Sequence, residues 1–176
     1  MLPKLVITDI DGVWTDGGMY YDKTGNELKK FNTSDSVGVM FLQILNIPTC
    51  IITSEDTEIV ALRAKKLHID YVLLGIKNKL QAASQLLDKL NLSFADVAFI
   101  GDDINDIPLL KKVGESAVPI TSPSYIQEHA HTIIPCGRGE GVFRKFVEHI
   151  LSKNNILEHC IDKMLEHYVS DENNII

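Results

Sequence analysis

Cysteine and long apolar runs are both scarce in this 176-residue sequence. The three cysteines, Cys50, Cys136 and Cys160, are widely spaced, odd in number and form no CxxC pair, which argues against a disulfide framework or a zinc knuckle. No apolar stretch approaches the ~18 residues of a membrane span, and no basic segment followed by an apolar core indicates a signal peptide. We therefore expect a cytoplasmic protein with no membrane partner.

Basic residues are also fewer than acidic residues. The chain has 17 Lys and Arg against 24 Asp and Glu, a formal net charge of −7. A surface of this sign is repelled by nucleic acid and by anionic lipid, so a partner of either kind held by bulk charge is not expected. An anionic substrate would have to be held by a local feature such as a metal, a lysine or a helix N-terminus.

Short apolar runs alternate with longer amphipathic segments along most of the chain, which is the pattern of an α/β protein. Strands are predicted at 4–10, 48–53, 71–74 and 97–100, with two short edge strands at 117–118 and 132–134. Helices are predicted at 36–45, 55–67, 77–90, 108–113 and 141–151, and a β-hairpin at 19–31. We therefore expect a Rossmann-like parallel sheet with helices on both faces and a projecting hairpin.

Polar residues follow the predicted core strands one after another. The segment Asp9-Ile10-Asp11-Gly12 ends the first strand, and Thr53 ends the second. Lys79 lies near the start of a helix shortly after the third strand, and the fourth runs into Gly101-Asp102-Asp103-Ile104-Asn105-Asp106. Because ligands of parallel sheets bind outside the carboxyl ends of the strands, we expect these side chains to share one rim.

These residue types fit phosphoryl transfer from a phosphate monoester. An attacking carboxylate is repelled by the dianionic phosphate unless a cation intervenes, and Asp9 and Asp102 are carboxylates of the kind that Mg²⁺ prefers. Lys79 can neutralise phosphate charge, and the Thr53 hydroxyl can donate to a phosphoryl oxygen. Attack by Asp9 would give an aspartyl-phosphate, and Asp11 can exchange protons with the leaving oxygen and with water.

Each of these features has an ordinary structural explanation when taken alone. A DxD pair is commonly a solvated turn, a threonine at a strand end is commonly structural, and Asp106 before Ile107-Pro108 can be a helix N-cap. Their joint occurrence in this order, each just after a predicted buried strand, favours the catalytic interpretation.

The order and spacing of these residues resemble the haloacid dehalogenase superfamily of phosphotransferases across residues 5–151. The resemblance implies that Asp9 is the nucleophile and that Asp11 is the acid–base residue. It also implies that magnesium is held by Asp9, by the backbone carbonyl of Asp11 and by Asp102.

By the same resemblance, Thr53 and Lys79 bind the phosphate. Asp103 and Asp106 position the metal and Lys79 indirectly, through the groups that they contact. Many members of the superfamily carry a cap domain over the site. Here 41 residues separate Asp11 from Thr53 and 25 separate Thr53 from Lys79, and predicted elements already occupy both intervals. We therefore expect no cap domain.

The domain organisation expected from this resemblance is simple. Residues 1–152 form the capless phosphatase domain, and 153–176 form a C-terminal helix and a polar tail. Apolar residues at helical spacing within 156–168 would dock this helix on its own domain or on a neighbouring subunit.

Two segments, 12–18 and 31–35, are similar to phosphatases that release 3-deoxy-manno-octulosonate or nonulosonate sugars from their 8- or 9-phosphates. Those proteins are capless homotetramers whose hairpins meet around the sites. Residues 137–141 resemble their glycine-rich segment, which approaches an adjacent active site. The resemblance implies a homotetramer in which Arg138 of a neighbouring chain holds the substrate carboxylate.

Glu55 bears on the choice of substrate. The octulosonate enzymes typically have arginine at this place, whereas the 2-keto-3-deoxynononate 9-phosphate enzymes have glutamate. We therefore expect a nine-carbon substrate of that kind or a sialic-acid 9-phosphate; the alternative is 3-deoxy-manno-octulosonate 8-phosphate phosphatase of lipopolysaccharide biosynthesis. Ser54 replaces a more usual glycine in this phosphate-binding loop, and Arg63 and Lys66 are predicted to add cationic substrate contacts.

Other interpretations stay open at the level of sequence. Glu55 can equally be a charge at a helix N-terminus. A phosphomutase shares the aspartyl-phosphate but normally needs a mobile cap, and a non-catalytic phosphate-binding module would have lost one of the catalytic groups. His129 and His131 lack a third ligand at fixed spacing, and Trp14 can line the substrate entrance or pack in the core.

Overall fold

The computed structural model describes residues 1–172. Its strands, in chain order, are β1 (Leu5–Thr8), β2 (Tyr20–Tyr21), β3 (Glu27–Leu28), β4 (Thr49–Ile52), β5 (Tyr71–Leu73), β6 (Val97–Ile100), β7 (Glu115–Pro119) and β8 (Thr132–Ile134). Its helices are α1 (Asp35–Ile44), α2 (Glu58–Lys66), α3 (Lys79–Leu90), α4 (Ile107–Leu110), α5 (Ser124–Gln127), α6 (Val142–Lys153) and α7 (Leu157–Glu172). Two 3-10 turns cover Phe94–Asp96 and Ile104–Asp106.

Six strands form one parallel sheet in the order β5-β4-β1-β6-β7-β8. The central strand β1 pairs on both sides, with Ile7 opposite Cys50 of β4 and Phe99 of β6. Its four residues are all buried, as expected of a parallel strand covered on both faces. The predicted α/β fold is confirmed, and the carboxyl ends of β1, β4 and β6 lie at one edge of the sheet.

Alternate residues of each strand belong to two separate cores. Val6 packs with side chains of α1, α6 and α7, whereas Leu5 and Ile7 pack with side chains of α3 and α4. This division follows from the two-residue period of a strand, which sends successive side chains to opposite faces. The sheet is therefore a middle layer held rigid from both sides.

Trp14 belongs to the core and not to a substrate entrance. Its side chain is 0% exposed, and its ring stacks on Phe143 of α6 with centroids 4.7 Å apart and an interplanar angle of 28°. Its Nε1–H donates to Thr8 Oγ1 over 2.9 Å, which satisfies the indole donor in the interior. These contacts fix the loop after β1 against α6.

Side-chain caps determine where two helices of the rim begin. Thr57 accepts a hydrogen bond from the Val60 N–H, so α2 begins at Glu58, three residues later than we expected. Asn78 accepts from the Gln81 N–H, so α3 begins at Lys79. Glu55 consequently lies in the loop before α2 and not in the first turn of the helix, where we expected it.

The hairpin of β2 and β3 projects from the sheet, as predicted. At its turn the Asp22 carboxylate accepts hydrogen bonds from the Thr24 and Asn26 N–H groups, and Gly25 takes a φ of +90°. Several of its apolar side chains are exposed, with Tyr21 at 63% and Leu28 at 64%. Within residues 1–172, the hairpin, α1, α2 and the strands fill the intervals in which a cap would be inserted.

The C-terminal helix α7 packs against α1 and α6 of its own chain. Residues 173–176 of the predicted polar tail lie outside the described residues. Among residues 1–172, no helix has the length and apolar character needed to cross a membrane. His131 accepts the Ser116 N–H at 3.0 Å, which gives this histidine a structural contact between β7 and the segment before β8.

Candidate active site

A cavity of about 260 Å³ opens at the carboxyl ends of the central strands. The loops after β1, β4 and β6, the first residue of α3 and the glycine-rich segment before α6 all contribute to it. Its lining residues are Asp9, Asp11, Gly12, Gly17, Thr53, Ser54, Glu55, Lys79, Asp102, Asp103, Asn105 and Arg138. The four segments that we expected to share a rim therefore meet in space, and the glycine-rich segment of the same chain joins them.

Lys79 is the buried cation of the site. Its Nζ lies 2.9 Å from Asp9 Oδ1 and 2.6 Å from Asp106 Oδ1, and its side chain is fully buried. Burial works to lower the pKa of Lys79, but the adjacent carboxylates Asp9 and Asp106 outweigh it and raise that pKa. Lys79 is therefore held as an ammonium beside Asp9.

Asp106 supports this lysine and also shapes the loop after β6. One carboxylate oxygen, Oδ1, accepts from Lys79, while Oδ2 accepts the backbone N–H groups of Asp102 at 2.9 Å and Asp103 at 3.1 Å. The side chain is completely buried, so these donors replace water around the charge. Asp106 thereby connects the position of Lys79 to that of Asp102.

Asp9, Asp102 and Asp106 place carboxylate oxygens within 4.8 Å of one another. Burial raises the pKa of Asp9 to about 8, with Asp106 adding to the rise and Lys79 opposing it. Burial also raises the pKa of Asp102 to about 7 against the opposing charge of Arg138. The positive groups near Asp9 and Asp102 therefore do not fully neutralise the negative charge of these two carboxylates.

The cluster fits a divalent cation. Asp102 Oδ1 is buried and has no hydrogen-bond partner, whereas both oxygens of Asp106 already accept hydrogen bonds. An oxygen ligand left free beside Asp9 is what a hard cation such as Mg²⁺ requires. Asp9 and Asp102 are therefore the side chains fitted to hold it.

Gly12 allows the loop after β1 to approach Asp102. Its φ is +83°, and a Cβ built at this position would lie 2.0 Å from Asp102 Oδ2. No side chain fits there without displacing the carboxylate, so glycine is required by space as well as by backbone conformation.

Asp11 is held through one of its two oxygens. Oδ1 accepts from Lys29 Nζ at 2.6 Å and from Thr15 Oγ1 at 3.1 Å, while Oδ2 is buried without a partner. Sequence reasoning did not identify Lys29, because it lies in the hairpin, 18 residues from Asp11. It also missed Asn105, whose side chain donates to Ser54 Oγ over 2.9 Å, although Asn105 lies within the acidic loop after β6.

The predicted phosphate-binding loop lies where expected. Thr53 is buried at the end of β4, and Ser54 Oγ donates to the Ile76 carbonyl at 3.1 Å. Glu55 lines the cavity next to them. The loop after β4 and the loop before α3 are therefore joined directly through Ser54.

Arg138 reaches the cavity of its own chain, although we expected it to serve a neighbour. Its Nη2 lies 2.6 Å from Asp102 Oδ2, and its Nε is buried without a hydrogen-bond partner. The glycine-rich segment is held against the loop after β1 by a hydrogen bond from the Gly139 N–H to the Val13 carbonyl. Arg138 thus lies beside the metal-ligand carboxylate and keeps an unused donor.

Arg63 and Lys66, which we predicted to contact substrate, do not line this cavity. The Arg63 guanidinium lies 5.7 Å from the centroid of the Phe31 ring and donates to the Asn32 carbonyl at 3.4 Å, and Lys66 is exposed. Both residues lie on α2, outside the set of residues that line the cavity of this chain.

Comparison with known proteins identifies the family. The family model described as haloacid dehalogenase-like hydrolase matches residues 49–146. The 3-deoxy-D-manno-octulosonate 8-phosphate phosphatase of Haemophilus influenzae is 32% identical over 148 residues, 84% of this chain and 82% of that protein. The enzyme of the same name from Salmonella typhi is 35% identical over 157 residues, 89% of this chain and 84% of that protein.

Solved structures agree with this relationship. A probable YrbI family phosphatase from Pseudomonas syringae is 39% identical, with a TM-score of 0.89 and 93% of each chain covered. The Moraxella catarrhalis 3-deoxy-D-manno-octulosonate 8-phosphate phosphatase, solved with magnesium, phosphate and the sugar acid, is 30% identical. Its TM-score is also 0.89, over 92% of this chain and 93% of that one.

These findings confirm the predicted family, its capless branch and the expected class of reaction. The prediction of a magnesium cofactor agrees with the metal-bound relative and with the acidic cluster described above. The chain belongs to the haloacid dehalogenase-like hydrolases, in the branch of the 3-deoxy-D-manno-octulosonate 8-phosphate phosphatases, and is a phosphoric monoester hydrolase.

Proposed function

We propose that this chain is a magnesium-dependent phosphatase of 3-deoxy-2-keto sugar-acid phosphates, with 3-deoxy-D-manno-octulosonate 8-phosphate as its substrate. The observation that carries the reaction is the buried pair of Asp9 and Lys79 beside Asp102, in a cavity that also contains Asp11. The names of its relatives and the sugar acid bound in one of them support the eight-carbon substrate.

We assign the nucleophile and the phosphate-binding groups from the positions of the side chains in the cavity. Asp9 attacks phosphorus with a carboxylate oxygen, and the bond between phosphorus and the sugar oxygen breaks. Lys79 and Thr53 bind phosphoryl oxygens, and the ammonium offsets charge that the carboxylates would otherwise repel. Magnesium would be held by Asp9, Asp102 and the backbone carbonyl of Asp11, and would supply further neutralisation of the phosphate charge.

Asp11 transfers a proton in each of the two half-reactions. In the first, it gives a proton to the departing sugar oxygen as the aspartyl-phosphate forms on Asp9. In the second, it takes a proton from the attacking water as the bond between phosphorus and Asp9 breaks. Phosphate leaves, and both aspartates return to their starting states.

Glu55 favours a second candidate, the nine-carbon 9-phosphate that we expected from the sequence. Its place in a loop of the cavity, outside α2, gives it access to substrate. A carboxylate there accepts hydrogen bonds from sugar hydroxyls and repels an acid group, and arginine would do the opposite. Arg138, with its unused Nε donor, is the cation proposed to hold the substrate carboxylate.

The test compares kcat/KM for the eight-carbon and nine-carbon phosphates in the wild type, in Glu55→Arg and in Glu58→Arg. The proposal expects the wild type to prefer the eight-carbon substrate. If Glu55 contacts the sugar, Glu55→Arg changes the ratio of the two kcat/KM values by at least ~10-fold, the scale of one lost polar contact. The control, Glu58→Arg, reverses an exposed charge in the first turn of α2 and should leave the ratio unchanged.

A wild-type preference for the nine-carbon phosphate would replace the first candidate by the second. Hydrolysis of neither compound, with turnover of simple aryl phosphates intact, would overturn the sugar-acid assignment while leaving the phosphatase chemistry in place. The homotetramer and the cytoplasmic location stay predictions.

A further inference from the structure

Lys29, directly after β3 of the hairpin, has a buried side chain. Its side chain is 1% exposed, whereas that of the adjacent Lys30 is 72% exposed. Its Nζ lies 2.6 Å from Asp11 Oδ1 and 3.6 Å from Glu27 Oε1. Because lysine is almost never fully buried without a partner, this contact with Asp11 accounts for its position.

The contact differentiates the two oxygens of Asp11. Lys29 and Thr15 both donate to Oδ1, and Oδ2 is left without a protein partner. Asp11 lines the cavity, and Lys29 is not among the lining residues. A carboxyl group held in this way has one oxygen engaged by two donors and one buried oxygen free to carry a proton, and it cannot rotate freely.

We propose that Lys29 is a positioning residue that acts through Asp11 in the proton-transfer steps. The inference rests on the proposed function of Asp11 as the acid–base residue. Lys29 fixes Oδ1, which leaves Oδ2 as the oxygen that exchanges the proton, and its ammonium charge stabilises the carboxylate that remains when Asp11 has given its proton away.

Lys29 is expected to affect the rate only of steps in which Asp11 gains or loses a proton. As the bond between phosphorus and the leaving oxygen breaks, the proton moves from Asp11 Oδ2 to that oxygen, and Asp11 becomes negatively charged. Glu27 and Glu55 also interact with Lys29, so without its ammonium the new charge would face two other carboxylates. A leaving group that is stable as an anion needs no proton, and its departure should therefore be insensitive to Lys29.

The test uses this dependence on the leaving group and does not require the natural substrate. Release of the phenol in the first turnover is measured with phenyl phosphate, whose leaving group needs a proton, and with 2,4-dinitrophenyl phosphate, whose leaving group does not. Lys29→Met should slow phenyl phosphate by ~10- to 100-fold, part of the 10²–10⁴-fold that general acid–base catalysis supplies. The same variant should slow dinitrophenyl phosphate by less than ~3-fold, because no assistance is lost there.

Three further variants separate positioning from other effects. Lys30→Met removes the neighbouring exposed charge and should leave both rates unchanged. Lys29→Arg keeps a cationic donor and should recover most of the phenyl phosphate rate. Glu27→Gln combined with Lys29→Met should stay as slow as Lys29→Met; recovery would mean that Lys29 serves to neutralise Glu27, and the proposal would be wrong.

The ratio of the two rates is taken within one purified sample, so partial unfolding of a variant does not affect it. Equal loss on both substrates, or no loss on either, would overturn the role of Lys29. These outcomes are independent of the sugar-acid assignment, which the comparison of eight-carbon and nine-carbon phosphates tests separately.

Discussion

Asp106→Asn is a near-isosteric change at the most constrained carboxylate of the site. The native side chain accepts three donors: Lys79 Nζ, the Asp102 N–H and the Asp103 N–H. An amide has one acceptor oxygen, so it can serve the two backbone donors or the lysine, but not all three. The arrangement of lowest cost keeps the backbone donors and turns the NH₂ group towards Lys79.

The expected loss of stability follows from these contacts. A hydrogen bond to a charged group contributes ~1.5–3 kcal/mol, and breaking a buried ion pair costs ~3–5 kcal/mol. Lys79 keeps its contact with Asp9 at 2.9 Å, which offsets part of the second figure. We therefore expect the free energy of unfolding to fall by ~3 kcal/mol. With a urea m-value of ~2 kcal/mol/M, the unfolding midpoint should fall by ~1.5 M.

Urea unfolding of metal-free wild type, Asp106→Asn and Asp103→Asn measures this loss. Asp103 is exposed, so the same substitution there should change stability by no more than ~0.5 kcal/mol. Turnover of Asp106→Asn should also fall by at least ~10-fold, because Lys79 is no longer held in place from behind. A midpoint within ~0.3 M of wild type, together with full activity, would refute the argument that Asp106 fixes Lys79.

Asp9→Asn should abolish phosphate release and leave the fold intact, because an amide is not a competent nucleophile; wild-type turnover in the purified variant would contradict the mechanism. The pKa of Asp9 is raised to about 8 and that of Asp102 to about 7, so both must lose protons before they bind a cation. Magnesium affinity, measured by calorimetry, should therefore rise from pH 6 to pH 8, and calcium, with longer bonds and more ligands, should inhibit; an affinity independent of pH would show that neither carboxylate binds the ion. The exposed apolar side chains of the hairpin should be covered in a homotetramer, and Leu28→Asp should yield smaller species in sedimentation experiments. A wild-type monomer with full activity would rule out the tetramer.

Much of the fold follows from local patterns in the sequence. The strands β1, β4 and β6 are short apolar runs followed by polar residues, and this pattern marks both the sheet and the edge at which ligands bind. Asp9, Thr53 and Asp102 could be placed together for this reason, since the carboxyl ends of parallel strands share one edge. The short helix α5 was missed because four residues carry no helical period.

Other features depend on contacts that a linear pattern does not contain. Helix α2 begins after Thr57 because the Thr57 side chain caps it. The acidic residues before Thr57, which we expected to lie in the helix, precede it. Arg63 lies on this helix and does not line the cavity of its own chain. The contact between Lys29 and Asp11 joins a hairpin to a strand end, and nothing in the sequence around Lys29 distinguishes it from the exposed Lys30.

The contacts of Trp14 have a practical consequence for spectroscopy. It is the single tryptophan of the chain, and it lies between the loop that carries the catalytic aspartates and Phe143 of α6. Its fluorescence emission should therefore report one defined contact: short-wavelength while the indole stays buried on Phe143, and shifted to longer wavelength when that contact opens to water. The native protein thus carries an intrinsic probe beside its catalytic loop, and the urea titrations described above need no added label.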